Sequence, residues 1–220
     1  MKTEQAKRFI NRVWKEWRLT IFLIVFVVIP VKSSLADWNW VPTGSMSPTI
    51  LEGDLIYVDK LAYGLRLPLS LCRLARWSDP ETGDIVICFS PEDGTRLVKR
   101  VIGKPGDIIE LRNGRLFLNG RAVRYAPIEG QYRKYLSGQL KNGCTLAMEE
   151  LDGFRHAVMS TVFRGAARNF GPVKAPEGYY FVMGDNRDNS RDSRIFVSVH
   201  AVLAKQAVVF INDGDGIPSK

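Results

Sequence analysis

The chain has 220 residues, enough for one domain, or one domain carrying an insertion, around a sizeable core. With 25% charged and 10% aromatic residues it is not composed like a disordered chain. The net charge of +8 invites nucleic acid, but +4 of it lies in residues 1–18, where Lys2, Lys7, Arg8, Arg12, Lys15 and Arg18 outnumber Glu4 and Glu16. The rest shows no basic stripe, so no nucleic-acid partner is expected.

The basic stretch runs into Leu19–Val31, which has no charged side chain. This run is shorter than the roughly 20 residues needed to cross a bilayer. Extension to Ala36 adds Lys32, Ser33 and Ser34, and a lysine near a helix end can reach the interface. Trp14 and Trp17 before the run, and Trp38 and Trp40 after it, sit where interfacial aromatic belts would. We therefore read 1–18 as a cytoplasmic basic tail, 19–36 as a transmembrane anchor, and the chain from about 37 onward as outside the cytoplasm. The competing reading is a signal peptide cleaved after Ser34-Leu35-Ala36.

Val41–Ile50, VPTGSMSPTI, has neither a helical nor a strand period and reads as a hydroxyl-rich turn. Beyond it the chain reads as β. Residues 53–58, 83–89, 95–103, 106–111, 115–120, 178–184 and 202–211 are rich in β-branched and aromatic side chains. Asn113-Gly114, between two apolar runs, is a two-residue hairpin signal. Leu61–Trp77 is apolar with interleaved arginines and is broken by Pro68. It is expected either to lie on a membrane surface or to form a surface loop with a short helix. Residues 126–153, polar and containing glycine, read as an insertion between strands.

Serine needs a partner that removes its proton. His156 falls in a strand-like stretch and His200 has no acidic neighbour, so both read as structural. Without a C-x-x-C pair, the three cysteines do not suggest a metal site. Cys88 reads as a buried thiol, and Cys72 with Cys144 is a conceivable disulfide in an oxidising compartment. Lys99 shares a strand face with Leu97 and Val101. It is either buried, where desolvation would lower its pKa into the range of a base, or an edge-strand charge. Arg100 points the other way, free to pair with an acid. Gly184–Arg194, GDNRDNSRDSR, has no apolar side chain. It is either a solvated charged loop or a loop held by its own hydrogen bonds and ion pairs.

Three of these segments together resemble the type I signal peptidase family of membrane serine proteases. PTGSMSPT (Pro42–Thr49) resembles its nucleophile motif, LVKRVIGKPGD (Leu97–Asp107) its lysine motif and GDNRDNSRDSR its closing motif, while GDLIYVDKLAYG (Gly53–Gly64) matches the strand after the nucleophile. The resemblance implies Ser45 as nucleophile, Lys99 as general base and an oxyanion hole from the Ser45 N–H and the Thr43 hydroxyl. It further implies Ser190 as orienter of the lysine, and Asp185 with Arg100 and Asp192 with Arg194 as supporting ion pairs. The implied fold is mainly antiparallel β, with a catalytic core (37–111 and 172–220) interrupted by a smaller β insertion (112–171) and preceded by one transmembrane helix. No metal or organic cofactor is implied.

The implied partners are signal peptides of preproteins and membrane lipid, with the secretion translocon as a further candidate. The implied place is the inner membrane, single-pass, with an extracytoplasmic catalytic domain cutting after Ala-X-Ala-like sites. The chain departs from the family after Arg194, where IFVSVHA replaces the common GxVP segment. A pilin-maturation peptidase of the same superfamily and a catalytically silent, membrane-anchored binding protein are the alternatives. A self-cleaving repressor would carry a DNA-binding domain where the apolar run stands.

Overall fold

The computed structural model describes residues 14, 17–28, 36–66, 73–128, 143–161, 168–196 and 204–210. Most of the basic tail, Ser34 and Leu35, Cys72, and residues 197–203 with His200 lie outside the described residues.

Residues 17–28 are helical, winding as a π-helix over Ile24–Val28, and bury no side chain there. Leu19, Ile21, Phe22 and Phe26 are all exposed. Among the described residues no helix is long and apolar enough to cross a membrane.

The rest is mainly β, and all its named strand pairs are antiparallel. The largest sheet holds β1 (Ala36–Trp40), β2 (Leu55–Asp59), β5 (Ile85–Phe89), β6 (Arg96–Gly103), β14 (Phe181–Met183) and β15 (Ala204–Phe210). Its order is β1-β2-β15-β5-β6-β14. A second sheet has the order β13-β7-β8-β9, from β7 (Ile108–Arg112), β8 (Arg115–Leu118), β9 (Arg121–Ala122) and β13 (Phe170–Lys174). A third pairs β10 (Arg124–Pro127), β11 (Cys144–Leu151) and β12 (Phe154–Thr161) in that order.

Side-chain periodicity explains which strands are covered on one face and which on both. On β2 only Ile56 and Val58 are buried, the alternation of a strand with one covered face. On β5 Ile85, Val86, Ile87 and Cys88 are all buried, because Ile85 and Ile87 join the cluster under the turn while Val86 and Cys88 join the opposite one. A third cluster, built on Ile102, Ile109, Leu116 and Phe181, links the large sheet to the second. The β7–β8 turn carries Asn113 at φ 51° and Gly114 at φ 77°, as the Asn-Gly signal requires.

The described residues of Leu61–Trp77 form a hairpin of β3 (Gly64–Arg66) and β4 (Arg73–Arg76), with residues 67–72 outside the described residues. Gly64, at φ 153°, lets the strands pass closely, since a Cβ there would lie 2.3 Å from the Ala75 carbonyl oxygen. Residues 126–153, read as an insertion between strands, themselves contain the end of β10 and the whole of β11. The polarity of β11 misled the reading, as Glu149 is fully buried yet partnered. Cys88 and Cys144 are both free thiols. Burial pushes Cys88 up to about 12.

Candidate active site

The turn after β1 is held from both ends. Val41 N–H donates to the Asp54 carbonyl and Gly53 N–H to the Val41 carbonyl, each at 2.9 Å. Gly44–Met46 forms one 3-10 turn, with Met46 buried beneath it as its apolar anchor. This leaves Ser45 half-buried and Thr43 exposed, with a hydroxyl that makes no capping bond.

Lys99 enters from β6, an interior strand between β5 and β14, which removes the edge-charge reading. It is 2% exposed. Its Nζ stands 2.8 Å from Ser45 Oγ and donates to the Val98 carbonyl at 2.9 Å. Burial lowers its pKa, against the opposing pull of Asp192. A buried amine with no carboxylate at salt-bridge distance is biased toward its neutral form, which can accept a proton.

The acids fall where the charges need them. Arg100 forks onto Asp185, with Nε at 2.8 Å from Oδ1 and Nη2 at 2.7 Å from Oδ2, and donates from Nη1 to the Gly83 carbonyl. Thr49 donates to Asp185 Oδ2 at 2.5 Å. Asp192 receives Arg194 through two bonds of 2.8 Å and also the Gly184 N–H at 3.0 Å. Burial alone would raise both carboxyls, but the facing arginines outweigh it and hold them below the usual range.

Ser190 is buried beside Asp192, and the hydrogen bonds of the resting Lys99 amine go to Ser45 and Val98. The loop passes very close here. A Cβ on Gly184 would lie 2.3 Å from Ser190 Oγ and 2.4 Å from the Ser45 carbonyl oxygen.

The closing segment is no solvated loop: Asp185, Asn186, Arg187, Asp192, Ser193 and Arg194 are all buried. Arg187 Nη2 meets Glu149 Oε1 of β11 at 2.5 Å. Tyr125 donates to Glu149 Oε2 at 2.6 Å, and His156 Nε2 lies 3.3 Å from Oε1. Burial would raise Glu149, but Arg187 and His156 hold it at about 2. His156 is pushed down by burial, and its ionic neighbours are Glu149 and Asp185 rather than Ser45. Sequence reasoning missed Glu149 and Arg187 as partners, since nothing in either segment pairs residues 38 apart.

An antiparallel β chain with one serine hydroxyl set against one buried lysine amine has the form of a Ser/Lys hydrolase. A family model described as signal peptidase, peptidase S26, matches residues 14–211. A signal peptidase I from Pseudomonas fluorescens is 36% identical over 181 residues, covering 81% of this chain and 62% of its own length. One from Rickettsia akari (strain Hartford) is 33% identical over 234 residues, covering 96% of this chain and 85% of its own. A solved signal peptidase I from Enterococcus faecalis V583 aligns over 60% of this chain and 98% of its own, at 28% identity and a TM-score of 0.35. This chain belongs to the peptidase S26 signal peptidase family. It spans about 62% of the length of the Pseudomonas relatives it matches.

Proposed function

We propose that the chain is a membrane-anchored serine endopeptidase that removes signal peptides from exported preproteins after an Ala-X-Ala-like site. The observation that carries this reading is the 2.8 Å contact between Lys99 Nζ and Ser45 Oγ, made by a lysine that burial biases toward neutrality. Neutral Lys99 takes the Ser45 proton as Oγ attacks the scissile carbonyl carbon. The carbonyl oxygen becomes an oxyanion, received by the Ser45 N–H and the Thr43 hydroxyl. Collapse breaks the C–N bond, and Lys99 returns the proton to the leaving amine. Water, deprotonated by the same lysine, then releases the acyl group and restores Ser45.

The Arg100–Asp185 and Asp192–Arg194 pairs hold the loop around this dyad, the Val98 carbonyl accepts from the lysine, and Ser190 is its further orienter. The two-part core (37–111 and 172–220) carries the chemistry, with 112–171 as insertion. The exposed apolar side chains of residues 17–28 support a lipid anchor, since these residues bury nothing in their own protein. In this reading the tail is cytoplasmic, the catalytic part faces outward, and substrates arrive from the secretion translocon. Purified protein should cleave a preprotein after Ala-X-Ala, and Ser45→Ala should not. Equal cleavage by that variant would refute the reading.

A further inference from the structure

We propose that Asn186 is the positioning residue of the oxyanion hole, acting through the Gly44–Ser45 peptide; this rests on the Ser45 reading above. Asn186 Nδ2 donates to the Gly44 carbonyl oxygen at 2.9 Å. That carbonyl and the Ser45 N–H are the two ends of one planar peptide, and in a trans peptide they point in opposite directions. Holding the oxygen therefore aims the N–H. The bond acts on the donor without touching the substrate.

The local turn cannot do this by itself. Ser47 N–H also donates to the Gly44 oxygen, at 3.1 Å, but it belongs to the same turn and would rotate with it. Asn186 reaches in from a segment 142 residues away and ties the turn to the rest of the protein. Its own N–H donates to the Ser45 carbonyl at 3.1 Å, so one residue grips the carbonyls of both Gly44 and Ser45.

The grip is anchored in turn to the third sheet. On β12, Met159 N–H donates to the Asp185 carbonyl at 2.9 Å and Met159 C=O accepts from Arg187 N–H at 2.8 Å, holding the backbone on either side of Asn186. Arg187 is itself held by Glu149 of β11. The amide has only one workable orientation, since a flip would set Oδ1 against the Gly44 oxygen. In the orientation adopted, Oδ1 is buried and unpartnered. The side chain therefore serves as a donor rather than as a two-sided bridge.

The test uses the full chain with Asn186→Ala and the near-isosteric Asn186→Asp, which keeps the shape but puts an acceptor where the donor was. Both leave the backbone bonds at 186 in place. A peptide ending in an aldehyde at the scissile position serves as probe. Ser45 Oγ adds to its carbonyl carbon, Lys99 takes the proton, and an oxyanion forms in the hole; the matching peptide alcohol cannot react. We expect kcat to fall about ten- to hundred-fold in both variants, less than loss of a whole donor, with KM nearly unchanged. Aldehyde affinity should fall in parallel while alcohol affinity and the pH limb of Lys99 hold.

Full kcat in Asn186→Asp, or equal losses for aldehyde and alcohol, would overturn the proposal. In the parent protein, a scalar coupling across the bond from Asn186 Nδ2 to the Gly44 carbonyl carbon should be detectable whether or not the variants fold. Its absence would also overturn the proposal. If Ser45→Ala is inactive while Asn186→Asp retains full kcat, only this inference falls. If Ser45→Ala cleaves, the underlying reading falls with it.

Discussion

Lys99 and Arg100 are neighbours on β6, each 2% exposed, and they meet opposite surroundings. Arg100 has both oxygens of Asp185 within 2.8 Å, whereas the bonds from Lys99 Nζ go to a hydroxyl and a backbone carbonyl. One buried cation is neutralised by a partner and stays charged. The other has no such partner and gains by losing its proton.

Lys99→Arg should therefore be as inactive as Lys99→Ala, since arginine cannot be deprotonated in a protein. In the parent enzyme kcat/KM should rise with pH along a limb below the ordinary lysine value of about 10.4, because burial lowers this pKa and the neutral form is the active one. His156→Ala, if folded, should keep that limb. Turnover by folded Lys99→Arg would falsify the lysine's role as base.

Thr43 is exposed and its hydroxyl caps nothing in the resting enzyme, which leaves it free for substrate. Thr43→Ala should lower kcat by about 10²–10³-fold with KM little changed, and Thr43→Ser should restore most of it. Steady-state kinetics on a preprotein decides between this and an idle surface hydroxyl.

Asp185→Asn should leave the Arg100 guanidinium buried without its counter-charge. A loss of about 3–5 kcal/mol in unfolding free energy is expected. Denaturant titration of the variant measures it, and a change under 1 kcal/mol would mean that Thr49 and Gly83 suffice to hold the arginine.

Glu149 predicts the acid limb of stability. Its carboxyl is held at about 2, below the ordinary 4.5, so its contribution is complete above pH 4.5 and is lost as pH falls toward 2. His156 is also depressed, so the unfolded chain binds its proton first and stability begins to decline below about 6.5. Glu149→Gln should be less stable than the parent at neutral pH and show a shallower decline between pH 4.5 and 2. Melting curves across that range check the slope.

The sequence made the strands legible where apolar side chains carry the pattern. The runs at 83–89 and 95–103 contain β5 and β6 nearly end to end. It failed at β11, where Glu149 sits among the core residues and composition alone suggests solvent. The candidate site was legible through three motifs, including the pairing of Arg100 with an acid. What could not be read was that GDNRDNSRDSR is buried, because charged residues become tolerable inside only when their partners arrive from elsewhere. Arg187 needs Glu149, and Asp185 needs Arg100. Whether the Ser190 hydroxyl meets the Lys99 amine depends on a rotamer that no motif specifies.

β15 lies between β2 and β5, although it follows both in the chain by more than a hundred residues. It pairs with both, so the backbone hydrogen bonds that join the strand beside the Ser45 turn to the strands that carry Lys99 come from residues 204–210. Removal of that segment would leave β2 and β5 each with an unpaired edge, open to pairing with another chain.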